Sequence, residues 1–201
     1  MLFRSHGARR AHPVVGCGEG GRGRRPADAQ ERERAPATLA IDHKGYPSRE
    51  AFDDAVHAAL VAANVELIAL AGFMRIQSAA FVDRWIGRQL NIHPSLLPAF
   101  KGLHPHKQAL DAGVRISGAT VHFVTPELDG GPIVAQAAVP VLDGDTVATL
   151  EARILAAEHQ IYPAAVRLVA SGAVRLNNGS VTRQSEATAS RAAATLFSPS
   201  L

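Results

Sequence analysis

The chain has 201 residues, 47% of them hydrophobic and 19% charged, with 21 basic and 18 acidic side chains and a formal net charge of +3. That length can bury one sizeable core, and no apolar run reaches the roughly 18 residues of a membrane span. A single cysteine, Cys17, excludes a disulfide framework and a thiolate metal cluster.

Residues 1–36 carry eight of the basic side chains and only four of the acidic ones. The excess positive charge therefore belongs to this segment and not to the body of the chain. An Arg-rich segment can hold polyanions loosely. The body has no basic stripe with interleaved aromatics, so no nucleic-acid partner is expected. Arg, Gly, Ala and Pro dominate residues 1–36, and no helix or strand period is visible. We read residues 1–37 as disordered or as the product of a shifted reading frame. Within them, Gly16 to Gly21 matches G-x-G-x-x-G. That motif needs a strand before it and a helix after it, and Pro26 with further glycines opposes the helix. Chance in a Gly-rich tract explains it.

From Thr38 the texture changes. TLAI reads as a short strand. Ser48 is placed to cap a helix to about Ala63, with Phe52, Val56, Leu60 and Val61 on one face. Val65 to Gly72 is a near-continuous apolar run, as in a parallel strand covered on both faces. A short helix over 79–86 and the strand RQLNIH follow. HKQALDAG reads as a helix ended by Gly113. ATVHFV alternates as a strand, and PIVAQAAVPV reads as a strand pair or a bent strand. Asp145 is placed to cap a helix that Pro163 interrupts and that resumes to about Ser171. Residues 177–201 are polar, rich in Ser and Ala, and read as a flexible tail. Strands alternating with helices imply an α/β domain over 38–176 with a largely parallel sheet.

In such a sheet, function gathers beyond the carboxyl ends of the strands. Asn91 and His93 end one strand, Gly72 to Arg75 follows another, and TPELDGG, with Asp129, follows a third. An amide, an imidazole and a carboxylate can thus converge from separate segments. Each alone also has a plain structural reading: a His at a strand end hydrogen-bonds its surroundings, and Asp before Gly-Gly makes a turn.

GFMRI, NIHPSLLP, GLHPHKQAL, GATVHFVTPELDGGPIVAQ and AAEHQIYP stand in this order along the chain. As a set they resemble the glycinamide ribonucleotide transformylases, folate-dependent formyltransferases of purine synthesis. The resemblance covers about Thr38 to Leu176. It implies a Rossmann-like α/β domain that passes a formyl group from 10-formyl-tetrahydrofolate, the co-substrate, to the amine of glycinamide ribonucleotide. It calls for no metal, nucleic acid or membrane, only small-molecule partners. A cytoplasmic monomer or homodimer is expected. Asn91, His93 and Asp129 match the catalytic trio. Asn91, Arg49, Met74, Arg75, Ile76 and Gln77, with the loop Thr125, Pro126, Glu127, Leu128 and Asp129, match the folate side. Gln77 stands where an aliphatic residue is expected. Glu158 matches the carboxylate that takes the ribose hydroxyls, and His104 and His122 match supporting positions. Residues 1–36 do not match the family's first strand and its Gly-Ser-Asn phosphate loop. That departure keeps two other readings open: a formyltetrahydrofolate hydrolase, which needs no nucleotide site, and a non-catalytic remnant.

Overall fold

The computed structural model describes residues 2–3, 14–16 and 38–184. The strands are β1 (Leu2–Phe3), β2 (Val14–Gly16), β3 (Thr38–Ala40), β4 (Leu67–Leu70), β5 (Gln89–His93), β6 (Ile116–Phe123), β7 (Ile133–Pro140), β8 (Val174–Asn177) and β9 (Ser180–Arg183). The helices are α1 (Arg49–Ala62), α2 (Ala79–Arg84), α3 (Pro105–Asp111) and α4 (Val147–Ala170), with a 3-10 turn at His43–Gly45. Five strands form the main sheet in the order β1-β4-β5-β6-β7. β1 joins β4 antiparallel, and pairing is parallel at β2–β3 and β4–β5. Parallel pairing gives way to antiparallel pairing at β5–β6 and β6–β7, where the loop between Phe123 and Ile133 turns the chain straight back.

β4 shows why the apolar run needs cover on both sides. Leu67 and Ala69 join Leu90, Val121, Phe123, Tyr162 and Val166 on the α4 face. Ile68, between them, packs with Leu60, Phe81 and Trp85 under α1 and α2 on the other face. Alternate residues of one strand thus feed opposite layers. A third cluster joins α3 to α4 through Ala109, Ala119, Leu150 and Ile154.

Ser48 caps α1, its hydroxyl accepting from Ala51 N at 3.1 Å. Phe52 and Leu60 are buried as the spacing predicts, but Val61 is 55% exposed and Asp53 takes the inward position. The carboxylate of Asp53 is buried because it accepts from Ser78 N at 2.6 Å, at the start of α2.

Four expectations need correction. The N-cap of α4 is Thr146, in a reciprocal box with Thr149; Asp145 stands one residue earlier. Its carboxylate instead takes Leu142 N and a two-pronged Arg153 guanidinium, which holds it well below the usual carboxylate range. α4 also runs unbroken through Pro163, because burial of Tyr162, Ala165 and Val166 on the sheet outweighs the lost backbone bond. After Leu176 the chain does not loosen at once: Asn178 and Gly179, both at positive φ, turn it into β9, and Val181 packs on the core. Within residues 1–36, the apolar fragments at Leu2–Phe3 and Val14–Gly16 pair as strands too short for a period to show. Gly16 ends β2; the rest of the Gly16–Gly21 tract, the other readings of residues 1–37 and those of residues 185–201 lie outside the described residues.

Candidate active site

Asn91 and His93 lie two residues apart on β5, so their side chains leave the same face, the one that bears Ile68 next door. The strand runs into the NIHPSLLP turn, whose Leu97–Pro98 bond is cis. Neighbouring strands hold that turn. Thr120 Oγ1 donates to Ser95 O at 2.7 Å and accepts from Leu97 N at 3.0 Å, while Gln136 Nε2 donates to Leu97 O at 2.9 Å. In register, His93 lies beside Thr120, and Thr120 beside Gln136, so one row across three strands carries the turn.

Asp129 comes from the loop between β6 and β7. Its φ of 48° is in the left-handed region, which Asp tolerates better than most residues. Two residues on, a Cβ at Gly131 would overlap the Phe123 carbonyl oxygen, so the loop closes there only with glycine. The bend returns the carboxylate inward. Its Oδ2 accepts from Gly102 N at 2.9 Å and lies 3.4 Å from His93 Nδ1. His93 and Asp129 side chains are both 8% exposed. The other ring nitrogen of His93, Nε2, donates to Phe100 O at 2.9 Å. Both nitrogens of His93 thus face acceptors, an arrangement that a doubly protonated ring satisfies.

His122 completes the cluster. Its Nδ1 donates to its neighbour's carbonyl, Phe123 O, at 2.9 Å. Burial pushes the pKa of His122 below the ordinary histidine value, although Phe123 O and Asp129 pull the other way. A neutral ring protonated at Nδ1 leaves Nε2 as an acceptor, and Asn91 Nδ2 donates to it at 3.4 Å. The 3.7 Å approach of His122 Nε2 to Asp129 is then not an ion pair, since that nitrogen carries no proton. The imidazole instead fixes which way the Asn91 amide points.

The folate-side candidates divide. Leu70 of β4 pairs with Asn91, so residues 71–78 leave the sheet beside the trio. There Met74 and Ile76 are 78% and 68% exposed, Arg75 lies over the Phe52 ring at 5.1 Å, and Gln77 is drawn inward to Gln89. Arg49 opens α1 and pairs with its neighbour Glu50 at 3.2 Å. In the Asp129 loop, Thr125 Oγ1 donates to Glu127 O, Pro126 follows, Leu128 is exposed, and Glu127 bonds Lys101 at 2.8 Å. That ion pair joins the Asp129 loop to the segment before α3.

Glu158 lies on α4, one turn before Tyr162, whose hydroxyl donates to Leu70 O at 2.6 Å. It is therefore brought beside the carboxyl end of β4 but is not hydrogen-bonded to the trio. Burial raises its pKa; His159 opposes the rise and Glu151 adds to it. His104 is exposed and precedes α3 at a φ of 56° without capping it. The sequence reading gave His122 only a supporting place. Its pairing with Asn91 across β5–β6 is what brings it in, and strand alternation places it on the same face.

A carboxylate–imidazole pair beside an oriented amide, at the carboxyl edge of parallel strands, is an arrangement able to move a proton and to hold a developing charge. The formyl transferase family model matches residues 21–166, and the chain belongs to that family. It is 46% identical over 155 residues to the phosphoribosylglycinamide formyltransferase of Escherichia coli K12, covering 75% of this chain and 73% of that protein. It is 53% identical over 155 residues to the human trifunctional purine biosynthetic protein adenosine-3, covering 77% of this chain but only 15% of that one. Among solved structures, glycinamide ribonucleotide transformylase 1 of Symbiobacterium toebii superposes with a TM-score of 0.76 at 46% identity, over 88% of this chain and 81% of that one.

Proposed function

We propose that this chain transfers a formyl group from 10-formyl-tetrahydrofolate to the amine of 5-phosphoribosylglycinamide, a step of purine synthesis. The convergence of Asn91, His93 and Asp129 carries the reading. When the amine attacks the formyl carbon, negative charge develops on the formyl oxygen. Asn91 Nδ2 has two hydrogens; His122 takes one, and the other is available to that oxygen. His93 holds Phe100 O tightly through Nε2 but approaches Asp129 only at 3.4 Å through Nδ1. The Nδ1 proton is thus the one free to shift toward the oxyanion and then to the leaving folate nitrogen, with Asp129 balancing the charge. The attacking amine loses its proton through water.

Residues 71–78 and 125–129 offer the folate its apolar surface in Met74, Ile76 and Leu128, and Arg49 and Arg75 lie on that side. Glu158 takes the ribose hydroxyls. The partners are small molecules, and the chain works in the cytoplasm as a monomer or homodimer. The grip on the substrate phosphate is the part that the sequence of residues 1–36 does not supply.

An assay with 10-formyl-tetrahydrofolate, run with and without 5-phosphoribosylglycinamide, tests this. Folate turnover that depends on the nucleotide and is lost in His93→Ala supports transfer. Turnover indifferent to the nucleotide gives the hydrolase reading, and none above background gives the remnant.

A further inference from the structure

Gln77, half-buried, and Gln89, buried, form an amide pair that none of the chemistry above uses. Gln89 opens β5 and is 1% exposed. It lies two residues before Asn91 and four before His93, so all three leave the same face of one strand. Its Nε2 donates to Gln77 Oε1, in the segment that leaves β4. The strand beneath is fixed: Gln89 O accepts from Val124 N at 2.9 Å, and Gln89 pairs with Ile68. Gln89 Oε1 is buried without a hydrogen-bond partner among the described residues. An amide in that position is costly unless its remaining bond matters, because an unpaired buried acceptor loses its water for nothing.

Two further contacts of residues 71–78 involve charged side chains. Arg75 lies over Phe52, and Ser78 N donates to Asp53. Both lead to α1. The Gln77 bond leads instead to β5, the strand that carries Asn91 and His93. We infer that Gln77 and Gln89 act as a positioning pair: they set the folate-side segment in register with Asn91 and His93, so that a co-substrate lying on Met74 and Ile76 presents its formyl carbon to the amide donor. This rests on the proposed function for its role, although the pair itself does not.

The test uses the full chain as wild type, Gln77→Leu, Gln89→Leu and the double variant, with Thr146→Ala, which uncaps α4, as a variant that weakens the fold elsewhere. Hydrogen exchange of amides 72–78 is read beside that of β5. Each single Gln variant should speed exchange in 72–78 about tenfold or more with β5 unchanged, and the double variant should recover much of the loss, because it leaves no amide unpaired. Thr146→Ala should leave the ratio of the two segments as in wild type. In parallel, each single variant should raise the KM for 10-formyl-tetrahydrofolate about five- to tenfold with little change in the KM for the nucleotide. Unchanged exchange in 72–78, or a double variant no better than the product of the singles, overturns the pair. Altered exchange with an unaltered folate KM overturns its role in positioning. If wild type does not turn over folate, the proposed function fails, and the exchange data alone judge the pair.

Discussion

Asn91 and His122 stand opposite each other across β5 and β6, and the Asn91 amide donates to the His122 ring at 3.4 Å. The ring can accept only while it is neutral; burial favours that state, and the bond to Phe123 O holds the one proton on Nδ1. The amide is then oriented before any substrate arrives, as electrostatic catalysis requires.

Removing the oriented donor should cost the most at the transition state. Asn91→Ala is expected to lower kcat about 10²- to 10³-fold with a far smaller change in either KM. Steady-state kinetics with both substrates varied checks this.

Asp129→Asn keeps an acceptor for Gly102 N but removes the charge facing His93. The expected loss in kcat is on the order of 10²- to 10⁴-fold, with thermal stability close to wild type because the loop bond survives. A matching collapse in Tm would show that the carboxylate serves the fold instead.

His122 and His106 are both held below the ordinary histidine value, burial being the main cause in each. Between the lowered values and about 6.5, the unfolded chain binds protons that the folded chain does not. Stability is therefore full above about pH 6.5 and falls as the pH drops through that window. His122→Asn, which retains a donor for Phe123 O, should shrink the drop in Tm between pH 7.5 and 5.5.

Glu158 shows the opposite sign. Its raised pKa means that the folded chain keeps a proton that the unfolded chain has shed, so its contribution worsens as the pH rises from about 4.3 through the raised value. Glu158→Gln should gain roughly 2 °C in Tm at pH 7 and nothing at pH 4. The same variant should raise the KM for the nucleotide about tenfold. A gain in stability with an unchanged nucleotide KM would assign the carboxylate no part in substrate binding.

Tyr162 ties α4 to the sheet through Leu70 O at 2.6 Å, with Leu90 O at 3.3 Å. Tyr162→Phe leaves buried carbonyls short of a donor and should cost about 1–3 kcal/mol in urea unfolding. Because Leu70 borders the segment at 71–78, the folate KM should rise as well.

Asn91, His93 and Asp129 are legible as candidates because two of them close an apolar strand and the third stands in the loop after another. The helix start at Ser48 is similarly open to local reading, since a cap involves neighbours within one turn. What stayed hidden depends on contacts across strands. His122 looks like any alternating strand residue until pairing sets it beside Asn91, and Gln89 is an unremarkable polar residue until Gln77 meets it. Asp145 looked like a cap because its real partner, Arg153, lies two helical turns on. Pro163 looked like a break because propensity counts the lost backbone bond and not the sheet beneath it.

The register shift between Val121 and His122 separates the ladder of β6 and β7 into two lengths with independent phase. On one side, Ile116 to Val121 is locked to Ala135 through Pro140 and carries the row that supports the NIHPSLLP turn. On the other, His122 follows wherever β7 begins, at Ile133. A residue gained or lost between Thr125 and Gly131 would leave the row under the turn in place and displace the Asp129 carboxylate alone. The same change between Ile116 and Thr120 would slide Thr120 out from under the turn and flip its partners to the opposite face. The architecture thus separates the support of the NIHPSLLP turn from the loop that carries Asp129, and a change on one side of the shift leaves the other in register.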